Sequence, residues 1–220
     1  SVNVSTTGTG AIDLDGLGTL TLTDLDTANG AITATSGGAL TVTDVASGTN
    51  GNITLTTTSG DITGLATVNA GSGNVTLNSA GAIVDDGSAG TVITGGVLTA
   101  DAAGAITIDS TVASANISPS AAGNVDFDAA DGITLTDLDT NDGSITVDAG
   151  GLITATDVVA AGGSGDSVTL TTTTGGAVAT LVTGADAVSK TANAGDITSG
   201  AATAPAGLMG VTAPAGSIND

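Results

Sequence analysis

Gly30-Ala31-Ile32-Thr33-Ala34-Thr35 is followed, after two intervening residues, by Gly38-Ala39-Leu40-Thr41-Val42-Thr43-Asp44-Val45. Each phrase reads Gly-x-apolar-polar-apolar-polar. Alternation at period two puts Ile32 and Ala34, then Leu40 and Val42, on one face of an extended chain, with the threonines opposite. The glycine ahead of each run supplies a corner, because it tolerates a turned backbone at little steric cost. Strand, corner and strand therefore follow one another at short range.

The phrase recurs along the whole chain, and its first apolar residues fall into two alternating series. One runs Ile12, Ile32, Ile53, Val75, Leu98, Val125, Ile145, Val168, Val188, Met209; the other runs Leu20, Leu40, Ile62, Ile83, Ile106, Ile133, Ile153, Val178, Ile197, Ile218. Both have a mean period of about 22 residues, and the second trails the first by about eight. A weaker third strand follows the second, as Thr23-Asp24-Leu25, Thr43-Asp44-Val45, Thr136-Asp137-Leu138 and Thr156-Asp157-Val158. The reading is an all-β, right-handed parallel β-helix (a β-solenoid) of about ten coils of about 22 residues, with three strands per coil. An antiparallel sandwich would need hairpin signals; Asn29-Gly30 and Asn50-Gly51 occur, but the constant offset between the series fits stacked coils better.

Composition agrees with a narrow core. The 220 residues include 35 Gly and one Phe, with no Trp, Tyr, His or Cys, while 40% are hydrophobic. Aromatics normally span wide gaps between layers, so Ile, Leu, Val and Ala must fill this interior. A mean hydropathy of +0.41 argues against a solvated coil, and the abundance of Gly, Thr, Val and Asp argues against helix. With 22 acidic residues against the single cation Lys190, the formal net charge is -21. Such a surface repels phosphate, so neither nucleic acid nor an anionic membrane is a suitable partner. No apolar run is long enough for a transmembrane helix, so membrane insertion is not expected.

Breaks in the period mark loops. The step from Leu98 to Val125 lengthens to about 27 residues, and Ser118-Pro119-Ser120 inside it is expected to bulge outward. Ala160-Ala161-Gly162-Gly163-Ser164-Gly165 is a second loosening, and the stretch from Ala201 to Gly216, with Pro205 and Pro214, is the least regular coil. A longer echo is also present. Thr21-Leu-Thr-Asp-Leu-Asp-Thr27 returns as Thr134-Leu-Thr-Asp-Leu-Asp-Thr140, and the match continues from Gly30–Ile62 to Gly143–Val178, as if a block of five coils were duplicated. One domain, residues 1–220, is expected. The pattern is uncapped at both ends, which points to a segment of a longer repeat protein or a subunit that stacks end to end.

Gly51-Asn-Ile-Thr-Leu-Thr-Thr, Gly60-Asp-Ile-Thr, Gly73-Asn-Val-Thr-Leu and Gly143-Ser-Ile-Thr-Val resemble the β-helix repeats of filamentous-haemagglutinin-type exoproteins, large bacterial surface adhesins. The resemblance covers nearly all of the chain. It implies a right-handed parallel β-helix, export to the extracellular side of the bacterial cell surface, and a structural or adhesive task in attachment or biofilm. Its partners would be neighbouring repeats or identical subunits end to end, together with a host-surface or matrix ligand. The family supplies no catalytic motif.

Two sets of residues stand out as candidate sites. Asp24 and Asp44 take equivalent places on adjacent coils, as do Asp137 and Asp157, with Asp26 and Asp139 two residues beyond the first of each pair. Stacked like charges repel unless compensated, and Ca²⁺ favours oxygen clusters of this kind. The plainer reading has each aspartate bonding its own turn backbone. The second set is the threonine ladders: Thr33, Thr54, Thr76 and Thr99 on one face, Thr21, Thr41 and Thr63 on another. Regular Thr-x-Thr arrays suit an ice-binding surface, although Thr is also a good outward strand residue. Asn52 and Asn74 belong to the turn phrase and could form a short asparagine ladder. A polysaccharide-active enzyme is poorly supported, because only Lys190 is basic and aromatic platforms for sugar are lacking. Lys190 itself points inward in the register. Either the register slips there, or Asp186 or Asp196 lies close.

Overall fold

The computed structural model describes every residue except Ala89, Thr91, Ala206 and Asp220, and every strand side chain except those of Val178 and Thr180. No helix occurs among the described residues; the elements are short strands, and every strand pairing described is parallel. The chain is a parallel β-solenoid of about 11 turns, which excludes the antiparallel sandwich. It divides into two compact units, Ser1–Val112 and Ala113–Asp220.

In the first unit the strands Ile12–Gly16, Ile32–Ser36, Ile53–Thr57, Val75–Ser79 and Val97–Ala102 stack in that order. Their register runs Ile12↔Ile32↔Ile53↔Val75↔Leu98, which is the first series. The second series forms a separate sheet, with Leu20↔Leu40↔Ile62↔Ile83↔Ile106. The third short strands join this second sheet. Leu20–Thr27 is one eight-residue strand whose first half pairs with Leu40–Val42 and whose second half pairs with Asp44–Ala46. The strands therefore gather into two sheets.

The second unit repeats this plan. Val125↔Ile145↔Val168↔Val188↔Met209 build one sheet, and Ile133↔Ile153↔Ala177↔Ile197↔Ile218 build the other. Here the second series needs one correction. The place expected for Val178 belongs to Ala177; the side chain of Val178 lies outside the described residues. The reason is the corner before it. Thr27 donates its hydroxyl to the carbonyl of Gly30, and Ile32 enters the core two residues after that glycine. Thr57 with Gly60 and Thr140 with Gly143 do the same for Ile62 and Ile145. Thr172 donates to the Gly175 carbonyl, which sets Ala177 as the inward residue.

Ser118-Pro119 does not bulge outward. It ends the strand Ser114–Pro119, in which Ala115, Ile117 and Pro119 alternate inward. Proline is tolerated there because a strand end need not donate a ladder hydrogen bond. Ala115-Asn116-Ile117-Ser118 repeats Val2-Asn3-Val4-Ser5, so the lengthened step contains the first strand of the second copy. Asn3 pairs with Asp24, and Asn116 with Asp137, each after the same shift in register.

The core is the stack of inward aliphatic residues, nearly all with no exposed surface, and Phe127 fits among them fully buried. Each buried Leu, Ile or Val contributes about 1.5–3 kcal/mol relative to leaving it in water. Corner glycines are required by closeness as much as by dihedral angle. A Cβ on Gly30 would strike the carbonyl oxygen of Gly10, and one on Gly51 would strike that of Gly30. Neither glycine has a positive φ; stacked corners leave no room for a side chain.

Lys190 keeps the register, paired with Leu170 and Val211. It is wholly buried. Its Nζ donates to Ser199 Oγ at 2.8 Å and is not held by Asp186 or Asp196, whose carboxylates accept from the backbone N–H groups of Gly165 and Ser217. Burial pushes the lysine pKa down.

Candidate functional site

The stacked aspartates are brought together as two clusters, one in each unit. Asp24 and Asp26 stand on the strand Leu20–Thr27, and Asp44 begins the neighbouring strand Asp44–Ala46. Between them Leu25 pairs with Val45, both fully buried. Period two then sends the aspartates to the outer face, where each is half-buried. In the second unit Asp137 and Asp139 stand on Ile133–Thr140, with Asp157 directly before Val158–Ala160. Leu138 and Val158 are the buried pair there.

Each cluster has an asparagine at its head. Asn3 Nδ2 donates to Asp24 Oδ2 at 3.0 Å, and Asn116 Nδ2 to Asp137 Oδ2 at 3.4 Å. Three of the carboxyls are harder to ionise. Burial first, then the charge of Asp24, raises the pKa of Asp26, and the same two causes raise that of Asp44. Asp139 is pushed up to about 6, by burial first and then by Asp137 and Asp157. A hydrogen bond to the adjacent carboxyl adds to the rise, from Asp24 for Asp26 and from Asp137 for Asp139. Oδ1 of Asp139 and Oδ1 of Asp157 are buried without a hydrogen-bond partner. Among the described residues no group of three or more His, Cys, Asp or Glu side chains is arranged to hold a metal ion. Chemically, the clusters are rows of carboxyls in which burial and neighbouring charge oppose the ionisation of Asp26, Asp44 and Asp139.

The threonine ladders exist in register. Thr33↔Thr54↔Thr76↔Thr99 is continuous, and beside it runs Thr35↔Thr56↔Asn78↔Asp101. Asp13 and Asp15 head the two rows, so charge interrupts the hydroxyl array at both ends. Thr21↔Thr41↔Thr63 lies on the other sheet. The second unit has Thr146↔Thr169↔Ser189 beside Asp148↔Thr171↔Thr191.

The asparagine ladder also exists. Asn52 Oδ1 accepts from the backbone N–H of Asn74 at 2.9 Å, and Asn74 Oδ1 from that of Val97 at 3.2 Å. These side chains bind one corner to the next, which accounts for their place in the turn phrase.

A feature the alternating pattern did not reveal is the row of inward hydroxyls that closes the corners. Thr27, Ser36, Ser47, Thr57, Ser79, Thr140 and Thr172 are buried and donate to carbonyls three or four residues ahead. The signal was present as Ser or Thr at the last inward position of a strand, where the core otherwise takes an aliphatic residue.

Among the described residues no helix is long and apolar enough to cross a membrane. Comparison of the chain with protein-family models, with curated proteins and with solved structures gives no significant match.

Proposed function

We propose that this chain is a structural and adhesive segment of a secreted or surface-exposed bacterial protein. In this reading the solenoid is right-handed, each coil carries three strand segments, and the chain stacks on neighbouring repeats or on identical subunits. The carrying observation is the turn-on-turn register of the inward residues within each unit, Ile32↔Ile53↔Val75 in the first and Ile145↔Val168↔Val188 in the second, which makes each turn a repeat of its neighbour and sends the polar residues outward. The resemblance of the repeat phrases to filamentous-haemagglutinin-type exoproteins supports the extracellular setting and a host-surface or matrix ligand.

Electron microscopy of the purified chain over a range of concentrations tests the assembly, and retention of the chain on host cells or matrix tests the adhesion. End-to-end filaments together with retention are expected. Dispersed single particles that adhere to neither surface would discard the reading.

Two observations favour an alternative as a ligand-binding module. The unbroken ladder Thr33–Thr54–Thr76–Thr99 favours ice, and absence of thermal hysteresis would end that version. The unpartnered Oδ1 atoms of Asp139 and Asp157 favour calcium at Asp24, Asp26, Asp44, Asp137, Asp139 and Asp157. A melting midpoint indifferent to chelator would end that one.

A further inference from the structure

We propose a calcium site at the corner of the second unit where Asp142 and Asp166 converge on Gly162, apart from the stacked-aspartate rows. Asp166 takes the place that Gly143 holds one turn earlier, since Ile145 pairs with Val168. It is 9% exposed, and its Oδ2 is buried with no hydrogen-bond partner. A buried carboxylate oxygen without a donor costs several kcal/mol, so something must compensate it.

Its direction is defined by Gly162. A Cβ built on that glycine would fall 2.5 Å from Asp166 Oδ2, 2.9 Å from Asp142 Oδ1 and 2.8 Å from the Asp142 Cα. Two carboxylate oxygens from successive turns therefore approach the same side of one residue. Gly162 has φ +134, a conformation that residues with a Cβ rarely adopt, so this cradle stays free of side chain. Asp142 is exposed, which gives an ion a way in from solvent.

Nearby groups do not neutralise the pair. Asp186 stacks on Asp166, as Val188 does on Val168; its N–H donates to the Asp166 carbonyl at 2.8 Å, and its carboxylate accepts from Gly165 N–H. Asp186 thus adds a third negative charge to the corner. The chain's one lysine is buried against Ser199. A hard divalent cation fits two converging carboxylate oxygens, one of them buried without a donor. Calcium suits it better than magnesium, because Ca²⁺ accepts irregular oxygen geometry and Mg²⁺ demands a near-ideal octahedron.

The experiment is calorimetric titration of the whole chain with CaCl₂, paired with melts in calcium and in chelator. Binding heat and a raised Tm in calcium are expected for the unaltered chain. Asp166→Asn and Asp142→Asn should each lose the heat and the Tm shift, while Asp139→Asn should keep both. Because Asp142 is exposed, its variant is expected to fold even if the Asp166 variant does not. Absence of calcium heat in the unaltered chain would overturn the proposal. So would a calcium response that disappears in Asp139→Asn and survives in the two corner variants, which would move the site to the stacked rows. A gain in Tm for Asp166→Asn with no calcium dependence in either protein would show that the corner carries repulsion without a bound cation and would also overturn it.

Discussion

Thr140 is buried at 2% exposure, and its hydroxyl lies 2.5 Å from the carbonyl oxygen of Gly143. Valine in its place keeps the volume of the corner and removes the donor. The carbonyl then stays buried without that partner, so Thr140→Val should cost about 1–3 kcal/mol. Thr33→Val on the outward ladder should stay within about 0.5 kcal/mol. Urea denaturation of the two variants compares them, and equal costs would contradict the inward role of the corner hydroxyl. Asp139 makes a prediction about pH. Its pKa is about 6 in the folded chain against 3.8 ordinarily, so between those values the folded form holds a proton that the unfolded chain has released. The stability this group contributes is fully present below the unfolded value and is lost as pH rises through about 6. The Tm should therefore fall as pH rises from 4 to 7. Asp139→Asn should remove part of that slope, and Asp26 and Asp44, shifted in the same direction, should keep the rest. A Tm that climbs steadily to pH 7 would refute the assignment.

At the scale of strands and corners, the close stack of glycines is the tightest constraint. The Cβ of an alanine at position 51 would meet backbone, the carbonyl of Gly30, and not the movable end of a side chain. Gly51→Ala should therefore destabilise by about 2–3 kcal/mol, the upper part of the ordinary range for single substitutions. A melt near that of the unaltered chain would show that the corners can separate. Within each unit the two series and their period were legible, because a buried strand face must alternate and each turn must repeat its predecessor; the step from Leu98 to Val125 was misread as a single turn, because the strand Ser114–Pro119 lies inside it. Ala177 was not, since Val178 looks the better core residue, and only the bond from Thr172 to the Gly175 carbonyl shows that the strand enters one residue earlier. The strand Ser114–Pro119 was hidden for a similar reason: Pro119 reads as a loop signal until its place at the strand end is seen. Among the candidate site residues, the grouping of Asp24 with Asp44 and of Asp137 with Asp157 followed from register alone. The convergence of Asp142 and Asp166 depends on the path of the Gly162–Gly165 loop, which periodicity does not specify.

At the scale of the molecule, the boundary between compact units at Val112 and Ala113 coincides with the start of the second copy, Ala115-Asn116-Ile117-Ser118. Repeat arrays gain stability from each repeat and its neighbours, so Ala113–Asp220 expressed alone should give a β-type circular dichroism spectrum and a cooperative melt. A spectrum of unfolded chain would mean that the first copy is required. Charge acts on both copies together. The chain carries -21, and its one lysine is enclosed beside Ser199, so outward aspartates meet mainly other aspartates. Self-repulsion of this kind weakens the compact form and is screened by salt, with a Debye length of about 10 Å at 0.1 M. Stacking holds equivalent outward carboxylates about 5 Å apart along a row, well inside that length at low salt. Stability should then rise with NaCl. A gain of about 1 kcal/mol between low and half-molar salt corresponds to about 2–4 °C in Tm for a chain of this size. Sodium chloride is the appropriate salt, because sulfate or phosphate would strengthen apolar burial by exclusion from the surface. A Tm that is flat or falling in NaCl would mean that bound cations or shared protons already neutralise the rows, and the pH profile of Asp139→Asn would then tell which.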